Sequence, residues 1–532
     1  MRILVRDIRI PFYEDAEYAF DKAKKKLKPL GAKVTGCYVF RRSLDCRRRD
    51  NILYVYTVCA EVTGSYTPER LQRVGAIPLK EDELEFTYGD EHAEGRPVVV
   101  GFGPCGMFCA LLLAEHGYRP IVLERGGNTA ERKLAVDAFT NGGILNTECN
   151  IQFGAGGAGT FSDGKLMTRI NDEYCHYVLS RFRDFGAPED IMVNAKPHIG
   201  TDLLPNIVDG ISRRITELGG EVHYNTKFIG VSADGIGRIK TVKTTRGDFS
   251  CSALVLAIGH SARDTYGVLR EGQVELTPKS FSVGVRIEHL QADIDASLYG
   301  EHVGHPALPV GEYGLSAKLG ERGVYSFCMC PGGTVATAAS EVGGVVTNGM
   351  SEYARDGVNA NSALAVSVFP QDFGGTVDGA VEFIRKIESR AYKAGGGDYF
   401  APVQTVGDFL AGKRGTDPQR VAPTYGGGRV RTADLNEVLP HFVCETLRYG
   451  ITDFARKLSA FKGEDAILTG AETRTSSPIR IPRLPDGTAA SYGNLYPCGE
   501  GAGYAGGITS AAVDGVRCAI TLMKRYIRTD EK

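Results

Sequence analysis

An α/β fold, with one parallel sheet assembled from distant parts of the chain, is predicted by three observations. A buried-type strand, Pro97-Val98-Val99-Val100, runs straight into Gly101-Phe102-Gly103-Pro104-Cys105-Gly106 and then an apolar helical stretch. A second apolar strand, Ala253–Ile258, ends on Gly259. A third, ending at Pro497, opens a glycine cluster from Gly499 to Gly507, and an apolar helix follows from Thr509 to Met523. Glycine makes up 67 of the 532 residues, well above its usual share of about 7%. Proline stays at 23 and hydrophobic residues reach 42%, so the surplus belongs to tight turns of a folded chain.

The elements are taken in chain order. Met1–Pro11, Lys33–Arg42 and Asn51–Val62 are predicted strands from their β-branched and aromatic content. Glu14–Leu27 is a predicted amphipathic helix that must stop before Pro29, because the residue ahead of a proline is pushed out of the helical region. Residues 1–92 are therefore expected to form a small α+β domain, with His92–Arg96 as a linker. Eleven Lys or Arg and only two Asp lie between Tyr18 and Arg49. Such a run is either a solvated basic face or a surface for an anionic partner. The acidic run Glu81–Glu91 and a formal net charge of −2 favour the solvated face, with nucleic acid left as the partner of a second reading.

Residues 93–270 are expected to form the first part of a nucleotide-binding domain. Gly101 permits the tight turn, Gly103 lets backbone N–H groups reach a pyrophosphate, and Gly106 permits close helix–strand packing. Pro104 and Cys105 open the helix, whose N-terminus carries partial positive charge. The helix closes at Gly117, and Pro120–Leu123 leads to Glu124-Arg125. Glu124, twenty-one residues after Gly103, is placed to accept both ribose hydroxyls of an adenosine and to disfavour a 2′-phosphate. Gly259 is expected below the adenosine. The late return, Gly499, Glu500, Gly506, Gly507 and Ile508, offers a second anion site and an acid for a polyol hydroxyl. NAD has no use for that second loop. FAD has, because its ribityl chain and flavin ring extend beyond the pyrophosphate, so FAD is the predicted cofactor.

The long motifs resemble those of a family of FAD-dependent dehydrogenases of largely unassigned substrate, within the glutathione-reductase-like flavoprotein superfamily. The matching stretches are Asn150–Leu166 (NIQFGAGGAGTFSDGKL), Tyr325–Gly333 (YSFCMCPGG), Glu472–Arg480 (ETRTSSPIR) and Arg42–Asp45 (RSLD), so the resemblance is essentially full-length. It implies FAD and redox chemistry and supplies no substrate. Ala155 departs from it, an acidic residue being expected there. Gly154–Gly159 also spells GxGxxG, but no buried strand precedes it and no apolar helix follows. The better reading is a glycine loop against the flavin, with Gly156, Gly157, Gly159 and Thr160 as contacts. Ser162, Asp163 and Lys165 then lie near the ring, and a cation such as Lys165 would stabilise the anionic reduced flavin.

Residues 271–440 are expected to form an inserted mixed β-sheet substrate domain, and residues 441–532 the return of the FAD-binding domain. Ser282–Glu288 is a predicted strand of period two, and the insertion carries no second strand–GxGxxG–helix. Lys165, His260, Arg286 and Arg474 are the candidate catalytic residues: His260 as a proton donor, the arginines as anion binders. Each also has a plain structural reading, as a satisfied histidine or as surface charge. The thirteen scattered cysteines show no iron–sulfur or zinc spacing, and no metal is expected. Cys105 and Cys109, with three residues between them, suit packing; Cys328-Met329-Cys330 fits either a strand with alternating faces or a strained redox pair. The absence of tryptophan excludes flavin halogenases of the tryptophan-motif type. No signal peptide or membrane span is legible, so a reducing cytoplasm is expected. The leading expectation is an FAD-dependent oxidoreductase acting on a small molecule, with NADH and NADPH among the candidate electron donors. The others are a flavoenzyme for a nucleic-acid or carrier-bound substrate, and a non-catalytic flavin scaffold.

Overall fold

The computed structural model describes residues 1–79, 84–92, 94–168, 170 and 172–528. Of the expected acidic run and linker, Glu81, Asp82, Glu83 and Ala93 lie outside the described residues. The chain is a mixed α/β structure with several sheets. Strands Arg2–Pro11, Val34–Asp45, Leu53–Val62 and the short Ala76–Pro78 form an antiparallel sheet in which Arg2–Pro11 lies between Leu53–Val62 and Ala76–Pro78. Helix Ala16–Leu27 buries Ala19, Ala23 and Leu27, spaced to fall on one face, against it. Much of the basic run is spent locally. Lys22 and Lys26 donate to the carbonyls of Arg9 and Arg6, both at 2.8 Å, while Arg47 and Arg48 pair with Asp45 and Asp50.

The central sheet is five-stranded and parallel, in the order Leu495–Pro497, Ala253–Leu256, Pro97–Val100, Ile121–Leu123, Glu221–His223. Its three middle strands are buried throughout, as a parallel sheet covered on both faces requires. Helix Pro104–Glu115 is buried all round, so it shows no amphipathic stripe. Gly106 makes this packing possible: a Cβ there would stand 1.9 Å from the Gly101 carbonyl oxygen. The strand at 495–497 and helix Ile508–Arg525 return to this sheet from the far end of the chain, as the sequence predicts.

A seven-stranded sheet forms the second layer, in the order Ser316–Leu319, Arg322–Cys330, Asn359–Val368, Phe281–Leu290, Ile467–Glu472, Ala401–Thr405, Val430–Thr432. Helices His441–Lys457 and Val377–Ala394 pack on it. Two sequence expectations shift here. The strand read as alternating, Phe281–Leu290, is buried at every position but the last, because it lies in the middle of the sheet and is covered on both sides. The sheet also takes in Ile467–Glu472, beyond residue 440 where the insertion was expected to end.

Two buried charges tie the loop at 150–157 to the parallel sheet. Glu124 accepts backbone N–H groups from Phe102 (2.8 Å), Gly126 (2.9 Å) and Gly154 (2.9 Å). Arg132, on helix Thr129–Thr140, donates to the carbonyls of Asn150 (2.9 Å), Ile151 (2.7 Å) and Ala155 (2.6 Å). Its side chain is sealed from solvent, and burial pushes its pKa down to about 10. Arg132→Met would keep the length and strand these acceptors, each costing about 1–3 kcal/mol. The expected result is a lower urea midpoint and faster flavin loss, with Arg132→Lys intermediate; an unchanged midpoint would contradict the clamp.

Candidate functional site

A cavity of about 980 Å³ runs between the parallel sheet and the seven-stranded sheet. Of the residues predicted to bind cofactor, Gly101, Gly103, Pro104, Cys105, Glu124, Arg125, Gly157, Gly159, Gly259, Glu500, Gly506, Gly507 and Ile508 line it. The other four do not. Gly106 packs on Gly101, and Gly156 donates its N–H to the Phe102 carbonyl at 2.8 Å. Thr160 is buried, with its hydroxyl 3.4 Å from the Ala155 carbonyl, and the Gly499 N–H goes to Asp514 at 2.6 Å. These residues shape the walls rather than the surface of the cavity.

Helices Pro104–Glu115 and Ile508–Arg525 begin at the cavity, and neither has a capping side chain: their N-caps are Gly103 and Gly507. Their first-turn N–H groups stay free for an anion. Gly157 has φ +63, and a Cβ there would lie 2.9 Å from the Gly103 Cα, so the two glycine loops touch backbone to backbone. Glu124 departs from its expected role. A carboxylate has about four acceptor sites, and three are taken by N–H groups, which leaves one for a hydroxyl rather than two. Arg125 is occupied as well, paired with Glu148 and Asp264 and stacked 4.0 Å over the Phe153 ring.

The other reach of the cavity is charged. Thr509 donates to the Leu166 carbonyl at 2.7 Å, which sets the start of the last helix beside Lys165. Lys165 pairs with Glu312 at 2.8 Å and lies 3.6 Å from Asp163. Burial opposes its charge, but the two carboxylates outweigh that and raise its pKa. Asp163, expected near a flavin ring, is instead sealed against Arg355 (2.5 Å) and Ser351, outside the cavity lining. Arg286 is likewise withdrawn: it is wholly buried, bonded to Glu472 at 3.0 Å and Asn361 at 2.8 Å. Arg474 does line the cavity. It is held by Glu388 at 2.8 Å, and its buried Nη1 has no partner among the described residues. His260 lines the cavity too, with Nε2 at 3.7 Å from Glu500. Burial and then Arg474 push His260 down to about 3, so it does not act as an imidazolium acid near neutrality. Burial raises Glu500 to about 7, which makes it the better proton carrier of the two.

All thirteen cysteines are free thiols. Among the described residues, Cys105, Cys498 and Asp514 bring possible metal ligands together, but Asp514 is already bidentate on Arg483. No helix among the described residues is long and apolar enough to cross a membrane.

Comparison with known proteins gives the class. Residues 280–475 match the family described as "FAD-dependent protein, C-terminal domain-like". FAD is the cofactor. An uncharacterized protein of Clostridium beijerinckii (strain ATCC 51743 / NCIMB 8052) is 44% identical over 99% of both chains, and the chain belongs to the same family as that protein. Among solved structures, glycine oxidase from Bacillus cereus ATCC 14579 is 10% identical, covering 82% of this chain and 96% of that one, with a TM-score of 0.32. L-proline dehydrogenase from P. horikoshii is 12% identical over 83% and 95%, with a TM-score of 0.31. Scores this low carry no information about substrate.

The residues present fit FAD. Gly506 and Gly507 leave open space where a Cβ would project, and both line the cavity. Two uncapped helix starts, one free acceptor on Glu124 and one unpaired donor on Arg474 complete a complementary set. The sequence reading missed Arg132, Glu312 and Glu388. Only the Asn128–Glu131 capping box ahead of Arg132 has a readable signal, an Asn three residues before a Glu.

Glu500 generates a pH prediction. Its folded pKa of about 7 exceeds its ordinary 4.5, so its contribution is fully present below about 4.5 and is lost as pH rises to about 7. In flavin-free protein, Glu500→Gln is expected to flatten that decline and to gain about 3 kcal/mol at pH 8 relative to pH 4.5. Urea unfolding at the two pH values measures it; parallel pH profiles would refute the assignment.

Proposed function

We propose that this protein is an FAD-dependent oxidoreductase with the glutathione-reductase-like nucleotide fold, moving a hydride between flavin N5 and a small organic substrate. The observation that carries the reading is one continuous cavity lined by both glycine loops, both uncapped helix starts and the charged group around Lys165 and Glu312. When bound, FAD supplies hydride acceptance and donation at N5. Gly103, Gly157 and the start of helix Pro104–Glu115 would hold the pyrophosphate. Glu124 would take one ribose hydroxyl, and Gly506, Gly507 and Glu500 would hold the ribityl chain. Lys165 and the free Nη1 of Arg474 offer positive charge to a reduced ring or an anionic substrate, and the covering sheet excludes water.

Further proposals concern organisation and setting. Residues 1–92 form a distinct domain, and residues 93–270 and 441–532, apart from those that join the seven-stranded sheet, form the FAD domain around a substrate-facing insertion. Thirteen free thiols support a reducing cytoplasm. The internally paired basic residues do not favour docking of nucleic acid. The test is anaerobic bleaching of the bound flavin by NADH, NADPH and a panel of small metabolites. A saturable rate with at least one donor, well above that of free FAD, is expected; no bleaching by any reductant except dithionite would contradict the reading.

A further inference from the structure

Strand Arg322–Cys330 carries an irregularity that the hydride chemistry above does not use. Phe327 pairs with Ala363 and Cys330 with Asn361, so three steps on this strand face two on its neighbour. The extra residue makes a bulge, and within it Cys328 takes φ +45, a left-handed conformation rare for a side-chain-bearing residue. In a regular strand, residues two apart are separated by about 6.6 Å, close to the upper limit of the roughly 4.4–6.8 Å that a disulfide spans. The bulge draws the pair together. The Cys330 thiol turns back onto its neighbour, its Sγ donating to the Cys328 carbonyl oxygen at 3.3 Å.

Their surroundings suit redox chemistry. Cys328 and Met329 line the cavity, and Lys165 and Asp163 are close enough to act electrostatically on Cys328. The Arg286 guanidinium reaches the Cys328 carbonyl and stands 3.8 Å from the Cys330 Sγ. Both are free thiols, and Cys330 is sealed from solvent. We propose that Cys328 and Cys330 are a dithiol–disulfide pair that exchanges two electrons with the FAD bound in this cavity. In the oxidising direction two S–H bonds break and one S–S bond forms. The two electrons and two protons pass to the oxidised flavin, giving FADH2; the reverse step reopens the disulfide and restores FAD. The neighbouring Cys330 thiol and the nearby Arg286 charge hold Cys328 below the ordinary thiol range, while burial raises Cys330, so Cys328 is the initiating thiol.

The proposal rests on bound FAD, so flavin content is measured for every sample, which separates loss of cofactor from failure of the pair. Holoprotein is oxidised with diamide, desalted and titrated anaerobically with dithionite. In parallel, samples at each end point are alkylated, and the peptide spanning both cysteines is weighed. The expected uptake is about four electrons per flavin, two for FAD and two for the disulfide, falling to about two in Cys328→Ser and in Cys330→Ser. The wild-type peptide should carry no alkyl groups when oxidised and two when reduced. Uptake of about two electrons by wild-type protein with both thiols alkylated after diamide would overturn the proposal. So would a disulfide that stays closed once the flavin is reduced. These wild-type readouts hold even if a variant fails to fold.

Discussion

The site depends on a division of labour between two buried charges. The loop at 150–157 has no regular structure of its own, so its backbone polar groups need partners from elsewhere. Glu124 takes the N–H of Gly154, and Arg132 takes the carbonyls of Asn150, Ile151 and Ala155. The same Glu124 holds the Phe102 N–H in the first glycine turn, so one carboxylate sets both loops in register. Gly103 and Gly157 can then touch. A cavity floor made of backbone follows from that contact, and the two helix starts are exposed at it.

The opposite wall is built differently. Arg286 with Glu472, and Arg263 and Arg474 with Glu388, are ion pairs sealed from solvent. Buried pairs of this kind add little net stability over apolar packing, because desolvation offsets their attraction. Their value here is positional. Arg286 fixes the bulge that carries Cys328, and Glu388 aims Arg474 while leaving one of its donors free. A wall of apolar side chains could close the cavity as well but would supply neither the charge nor the directed donor.

Much of the nucleotide half was legible in the sequence, because its signals are local. Strand, glycine turn, helix and spaced acid are contiguous at 97–124, and the return at 495–508 repeats most of the pattern. What escaped the reading depends on distant partners. Arg132 sits in a run of polar residues that reads as a solvated helix face, and only the folded loop shows that it is buried. Arg286 and Arg474 look alike as letters, yet one is consumed inside a sheet and the other faces the cavity. Ile467–Glu472 joins the seven-stranded sheet through pairing with Phe281–Leu290, some 180 residues away, which no window can detect. The bulge at Cys328 is likewise invisible, since its residues still read as a strand.

The central claim is that one extended dinucleotide spans both glycine loops, adenosine by Glu124 and ribityl chain by Glu500. The most direct measurement is the identity and amount of flavin released from purified protein on denaturation. The account predicts yellow protein that releases FAD at about one per chain. Release of FMN, or colourless protein that takes up no added FAD, would contradict it.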